Sequence, residues 1–490
     1  MFFGCFPNKR IFYKKKNYVF EVNLLIRSFS TYFGLGLMII IGNIKDFALH
    51  FKTQKNKNVA KLLSGFDDFF IRRMYRLGED AWNRKIRSCP GDTFLVEDPL
   101  FKDRNGRPLI RKCINMGSYN YLGFASPQSP TLSSVMEAIE TYSIGFNVPR
   151  GALSTKVVQE LEYRVAKLTR KEAAAVFSMG FGCNSTFLPF LARKGDLILS
   201  DSKNHSSIVT GCFASSASTS VFRHNDSHDL ERKLRKAIVE GHARTRRPWK
   251  RIFVLIEGLY SMEGYYPNLR KIVNLKKQYK VFFVIRKFYL FVDEAHSFGA
   301  IGLNGRGICD QLDVDSKAVD ILMGTFTKSH GGFGGFIASS KDLIEEVKDK
   351  CAGYFESASI PPAVSQQVSA AMAEMESDSG LERLKRLRNN SNFFRSRLEE
   401  MGFEVLGIKD SPVVIIVVGA PSNIILFSRE CLRRNIAVVV ATFPATNLTE
   451  SRVRFCLSAA HSKEQLDEVL FHIEEIGEMC CCRYKKHLGG

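Results

Sequence analysis

The chain has 490 residues, 45% of them hydrophobic and 24% charged, values that fit a globular protein and exclude a disordered chain, a collagen or a coiled-coil rod. Lys and Arg number 70 against 50 Asp and Glu, a formal charge of +20, which points either to an anionic partner, nucleic acid or lipid, or to a diffusely basic enzyme. The length suits two domains with appended segments, and only one stretch merits weighing as a membrane span, which excludes a polytopic transporter.

The first 64 residues form a basic segment, with eleven Lys and Arg against Glu21 and Asp46. Between Arg27 and Lys45 runs an uncharged stretch, about 28–44, that is short for a bilayer and broken by three glycines. It fits a marginal transmembrane helix, an in-plane amphipathic helix or a buried helix, and the basic flanks suit anionic headgroups. Residues 65–112 read as a mixed, Pro-punctuated extension.

From Cys113 to Glu376 unbroken apolar runs alternate with helical patterns, among them Arg251–Gly258, Phe288–His296 and Val319–Phe326. Runs of this kind mark strands buried on both faces, and the helix carrying Leu269, Ile272, Leu275 and Tyr279 between the first two predicts a parallel sheet with crossovers. After Ser377 a long helix is followed by apolar runs at Val413–Val418, Ile436–Phe443 and Val453–Ala459 and a last helix at Lys463–Glu478, a smaller α/β unit over 377–478. Residues 479–490 read as an unstructured tail carrying Cys480, Cys481 and Cys482. The remaining cysteines are scattered without zinc spacing, so reduced thiols and no metal site are expected.

The chemistry gathers after strands. Asp293, Glu294 and His296 follow one apolar run; the DEAH tetrapeptide alone resembles a helicase, but no phosphate loop accompanies it and the chain has no Gly-Lys dipeptide. Nucleic acid is therefore not expected as a partner. Lys328 follows the next run, flanked by Thr325 and Ser329 and a glycine-rich turn. A lysine on one strand end and a carboxylate on its neighbour are what pyridoxal phosphate needs, the lysine for a Schiff base and the acid for the pyridinium nitrogen. The stretch Phe177–Thr186 predicts a strand, a Gly-rich turn and a helix start suited to an anion. His205, Glu257 and Ser261 likewise come just after strand-like runs, and open α/β sheets bind ligands at that edge.

In this order, the segments Gly117–Ala125, Arg244–Arg251, Glu257–Gly264, Asp293–Gly302, Gly324–Ser329 and Val453–His461 resemble the α-oxoamine synthases, a branch of the fold-type I pyridoxal-phosphate enzymes, and within them the catalytic second-subunit family of eukaryotic serine palmitoyltransferase. The resemblance runs from about Leu24 to Glu478. It implies an α/β fold-type I transferase, with a large domain built on a mainly parallel sheet and a smaller C-terminal α/β domain. Lys328 would be the Schiff-base lysine, Asp293 the pyridinium partner, His296 a contact of the ring hydroxyl and His205 a ring-stacking and catalytic residue. Gly180, Phe181, Ser261 and Thr325 would hold the cofactor, and Asn120, Tyr121 and Arg454 the substrate. The implied reaction joins L-serine to a long-chain acyl-CoA. The implied setting is a heterodimer with a homologous lysine-free first subunit, at the endoplasmic reticulum membrane with the catalytic domain facing the cytosol. The basic stretch Arg244–Arg251 is expected beside a site for CoA phosphates.

Two departures bear on activity. Val281–Lys287 is an apolar insertion directly before the Asp293 strand and threatens its register, and Phe146–Glu162 lacks a Ser-Arg pair and a later His of the family pattern. They leave open a low-activity or regulatory subunit, or a relative using another amino acid.

Overall fold

The computed structural model describes residues 18–54, 66–73, 75–146, 148–152, 155–282, 288–443 and 445–483. The strands in chain order are β1 (Thr93–Lys102), β2 (Pro108–Asn115), β3 (Ala173–Phe177), β4 (Leu197–Asp201), β5 (Ser218–Phe222), β6 (Ile252–Glu257), β7 (Phe288–Asp293), β8 (Ile321–Thr325), β9 (Gly335–Ser339), β10 (Val405–Leu406), β11 (Val413–Gly419), β12 (Ile436–Ala437), β13 (Val439–Ala441) and β14 (Ser451–Cys456).

Seven of them form the main sheet in the order β3-β9-β8-β7-β6-β4-β5. β4 to β8 run parallel, and β9 is antiparallel to both β8 and β3. Strands β4, β6, β8 and β9 are buried at every residue, which is why they read as unbroken apolar runs. The parallel order delivers Asp201, Glu257, Asp293 and Thr325 to one edge, with Glu257 directly opposite Asp293. β7 pairs with β6 without a slip from Phe288 to Asp293, so the feared disturbance of register is overturned. The helix Leu269–Phe282 takes in the first two inserted residues, and the rest, 283–287, lie outside the described residues.

A second sheet has the order β10-β11-β14-β13, and a third joins β1 and β2 to β12. The single apolar run at Ile436–Phe443 thus splits between two sheets. The extension 65–112 also does not stand alone: its β1 pairs with β2, which runs on to join β12 at Ile114 and Asn115, Arg429 is ion-paired with Asp80, and Ser428 Oγ donates to Ala81 O at 2.9 Å. The tail is packed further than expected. Cys480 and Cys482 are buried, and Arg483 forms a bridge with Phe403.

The N-terminal apolar stretch lies within a 37-residue helix, Tyr18–Gln54. Among the described residues no helix is long and apolar enough to cross a membrane. The helix is not buried against the rest of the chain, since Phe29, Ile44 and Phe47 are 73%, 63% and 66% exposed. The helix meets the body where Asp46 pairs with Arg72 and Arg73 and where Gly42 lies against the Phe69 ring.

Candidate active site

Lys328 sits three residues beyond β8, in the turn that leads back into β9. Burial pushes its amine down to about 8, with Asp293 and Glu257 pulling it up and Arg454 pushing it down. Its Nζ lies 5.5 Å from the centre of the Tyr119 ring, and the Arg454 guanidinium lies 4.7 Å from the same ring. The two cations thus share one aromatic face system, which lowers the cost of holding both inside.

Asp293 ends β7. Its Oδ1 accepts from Ala295 N at 2.9 Å and its Oδ2 from Asn184 Nδ2 at 2.7 Å. Glu257 beside it is buried, and burial, followed by the Asp293 charge, raises its carboxyl well above the usual range. His296 is buried edge-on against Tyr119 and lies 2.9 Å from the Tyr121 hydroxyl through Nδ1. Burial and then the charges of Lys328 and Arg454 hold it well below the usual imidazole range, so it is neutral.

His205 precedes the helix Ser206–Ala214 and caps it through Nδ1, its backbone N donating to Glu257 Oε1 at 2.5 Å. Its ring is exposed beside the Phe181 ring, with centroids 6.1 Å apart. Gly180 opens the helix Gly180–Leu191, whose N-terminus has no capping side chain. A Cβ at Gly180 would stand 2.6 Å from Thr325 Oγ1 and 3.3 Å from Gly334 O, so only glycine lets this helix end meet the end of β8. Free N–H groups at such an end favour an anion.

Arg454 lies in the middle of β14 and is buried. Its Nη1 is 3.2 Å from Met262 Sδ, its Nε has no hydrogen-bond partner, and no carboxylate pairs with it among the described residues. A buried guanidinium left this way is set for an incoming carboxylate.

The structure brings Lys328, Asp293, His205, His296, Gly180, Phe181 and Thr325 to one edge of the main sheet, and Arg454 of β14 in the second sheet meets them across the Tyr119 ring. Ser261 stands half-buried in the turn beyond β6, and it is Met262 that reaches Arg454. Asn120 is engaged elsewhere, with Nδ2 on Pro90 O and Oδ1 on Ala125 N. Tyr121 is fully buried and acts on His296 rather than bordering open space. Sequence reasoning missed Tyr119 and Asn184, both inside motifs it singled out. The basic loop before β6 is at the opposite, amino edge: Arg244, Arg246 and Arg247 are exposed there, a six-residue strand or roughly 20 Å from Glu257.

A fold-type I α/β sheet with a strand-end lysine and its acid partner defines a pyridoxal-phosphate class of protein, and the family model described as aminotransferase class I and II matches residues 111–473. The chain is 45% identical over 469 residues to long chain base biosynthesis protein 2a of Arabidopsis thaliana, covering 93% of this chain and 94% of that one. It is 42% identical over 473 residues to serine palmitoyltransferase 2 of Dictyostelium discoideum, covering 93% and 94%. A solved serine palmitoyltransferase with a pyridoxal phosphate internal aldimine superposes with a TM-score of 0.74 at 27% identity, covering 86% of this chain and 100% of that one. The chain belongs to the serine palmitoyltransferase second-subunit family within the class I and II aminotransferases.

Proposed function

We infer that the protein condenses L-serine with a long-chain acyl-CoA, palmitoyl-CoA in the first instance, releasing carbon dioxide and CoA and giving 3-ketodihydrosphingosine, the first step of sphingolipid synthesis. The observation that carries this is the unpaired Arg454 guanidinium facing the same Tyr119 ring as the Lys328 amine. Carboxylate anchor and reacting amine are thus set for one α-amino acid.

The residues fit pyridoxal phosphate: a buried amine, a carboxyl group at the end of the adjacent strand, and a cradle at Gly180 that a Cβ would fill. Lys328 would carry it, Asp293 would meet the ring nitrogen, His205 would cover a ring face and His296 would meet the ring hydroxyl. Gly180, Phe181, Thr325 and Ser261 would surround the phosphate. When bound, the ring supplies the electron sink for a carbanion at the amino-acid α-carbon.

Arg454 binds the serine carboxylate and fixes which α-bond faces the ring. Lys328 Nζ, held near neutrality by burial, takes the α-proton. Asp293, held by Asn184 Nδ2 and Ala295 N at the end of β7, offers its carboxylate where the ring nitrogen would come. Neutral His296 keeps its Nδ1 on Tyr121 and holds its ring plane fixed. Joining the amino-acid α-carbon to the acyl-CoA thioester carbon would break the C–S bond and release CoA as the thiolate, the carboxylate held by Arg454 would leave as carbon dioxide, and a proton returned to the α-carbon would complete the keto base.

Beyond the reaction, we propose a partner, a place and a division of the chain. The partner is a homologous first subunit lacking the Schiff-base lysine. The place is the endoplasmic reticulum membrane, cytosolic side, reached through the in-plane amphipathic helix Tyr18–Gln54 with its exposed aromatic and aliphatic side chains. The division is 1–64, 65–112, 113–376, 377–478 and 479–490, with packing of the fourth unit carried on to Arg483.

Purified complex should absorb in the visible, and borohydride should fix the cofactor to a peptide containing Lys328. Incubation with serine and palmitoyl-CoA should yield the keto base. A folded complex that takes up no cofactor, or that accepts alanine or glycine in preference to serine, would refute the reading.

A further inference from the structure

Asn184 is the fifth residue of the helix Gly180–Leu191 and is buried, facing the ends of β6 and β7. Its Nδ2 donates twice, to Asp293 Oδ2 at 2.7 Å and to Ser207 Oγ at 2.9 Å. An ionised carboxylate can only accept, so the amide orientation is fixed by chemistry. Its Oδ1 is buried with no partner, so the amide is spent on its two donations at the cost of an unsatisfied acceptor.

Ser207 continues the line. It is buried in the first turn of the helix Ser206–Ala214, and its Oγ lies 2.8 Å from His205 Nδ1 while its backbone N donates to the same nitrogen at 3.2 Å. Nδ1 therefore accepts. Ser207 Oγ receives the Asn184 hydrogen and gives its own to Nδ1, leaving the His205 proton on Nε2. The two helices come close enough for this because Gly211 lies under the first one: a Cβ there would stand 2.5 Å from Asn184 O.

We propose that Asn184 and Ser207 are positioning residues that tie the Asp293 carboxylate and the His205 ring into one unit. The carboxylate plane is set for the ring nitrogen of the cofactor, and the imidazole is locked in its Nε2–H form and in one ring plane for stacking. The proposal rests on the assignment of Asp293 and His205 given above. Neither Asn184 nor Ser207 touches a reacting atom. Both act through a partner, as residues behind a metal ligand do, where their loss costs about 10- to 100-fold.

The test uses the full chain with its partner subunit and two kinds of variant. Asn184→Ala and Ser207→Ala break the line at different points, and Ser207→Thr keeps the hydroxyl. In the cofactor-free protein, exchange of the imidazole C2 hydrogen, followed by mass spectrometry across pH, reads His205 alone. The groups facing that ring are Glu257 and Asp293 from the strand ends, Lys328 from its turn and the Phe181 ring. Loss of the Ser207 hydroxyl removes a donor to the neutral ring, so the His205 titration moves up in Ser207→Ala and stays in Ser207→Thr. In the loaded enzyme, kcat falls roughly 10- to 100-fold in both Ala variants with the serine KM little changed, and Ser207→Thr is rescued. Wild-type titration and kcat in both Ala variants, or a loss of thermal stability alone, overturns the proposal. So does failure of Ser207→Thr to rescue. Cofactor uptake by the wild-type complex separately reports the underlying assignment. If an Ala variant does not fold, Ser207→Cys, which keeps the volume and weakens the donor, is read the same way as Ser207→Ala.

Discussion

Arg454 is a guanidinium enclosed by Tyr119, Met262 and its own sheet, with Nε unsatisfied. Such a group costs stability unless an anion arrives, so its retention marks a binding task. Arg454→Met keeps the volume and removes the charge. The serine KM should rise about 10- to 100-fold while cofactor binding, read from visible absorbance, is retained. An unchanged KM would remove Arg454 from the substrate site. His330, two residues after Lys328, is the reverse case. It is fully buried between the rings of Phe298 and Phe326, and both ring nitrogens lack partners. Burial pushes it down to about 3. A histidine held neutral contributes stability above its ordinary value near 6.5 and withdraws it as pH falls toward 3. His330→Phe fills the slot without orphaned polar atoms, so denaturant unfolding should show a gain of about 1–3 kcal/mol at neutral pH and a flatter loss below pH 6.5. Residues of this kind divide by how far their reasons reach. Lys328 and Asp293 were legible because each follows an apolar run. Asn184 and Tyr119 were not, since their partners lie far off in sequence: Asp293 is 109 positions from Asn184.

At the scale of elements, alternating strand and helix was legible because both-face burial removes polar residues from β4, β6, β8 and β9. Sheet membership was not. The run from Ile436 to Phe443 looks like one strand, yet β12 pairs with β2 and β13 with β14, because Ile114 and Asn115 at the end of β2 supply a partner more than 300 positions away that no local pattern announces. The position of the basic loop was not legible for a related reason: composition gives charge, and only strand polarity says that a segment preceding β6 lies at the edge away from Lys328. The junction of the helix Gly180–Leu191 with the end of β8 carries its own prediction. Gly180→Ala forces a Cβ into Thr325 Oγ1, so the helix end must retreat from the strand end. Affinity for pyridoxal phosphate, titrated by fluorescence, should fall at least about tenfold, the cost of a lost charge-assisted contact, with the fold intact by circular dichroism. Wild-type affinity would show that the cradle lies elsewhere.

For the whole molecule the question is where the charge of +20 acts. By sequence, +9 falls in the first 64 residues, around a helix that among its described side chains meets the body at Asp46 and Gly42 and exposes Phe29, Tyr32, Phe33, Ile40 and Ile44. Apolar exposure of this extent beside basic residues favours the surface of an anionic bilayer, where each Lys or Arg near the headgroups adds about 1 kcal/mol. Removing residues 1–54 should therefore leave the sheets and the site intact, because the main core is built from residues beyond Cys113. Cofactor uptake and the thermal midpoint of the complex should stay near wild type. Sedimentation with vesicles containing phosphatidylserine should drop at least about tenfold, and salt should weaken the binding of the intact chain but not abolish it, since screening removes the ionic part and leaves the apolar part. A truncated complex that still sediments would place the membrane contact on the body or on the partner subunit. One that loses cofactor would make the helix part of the catalytic fold.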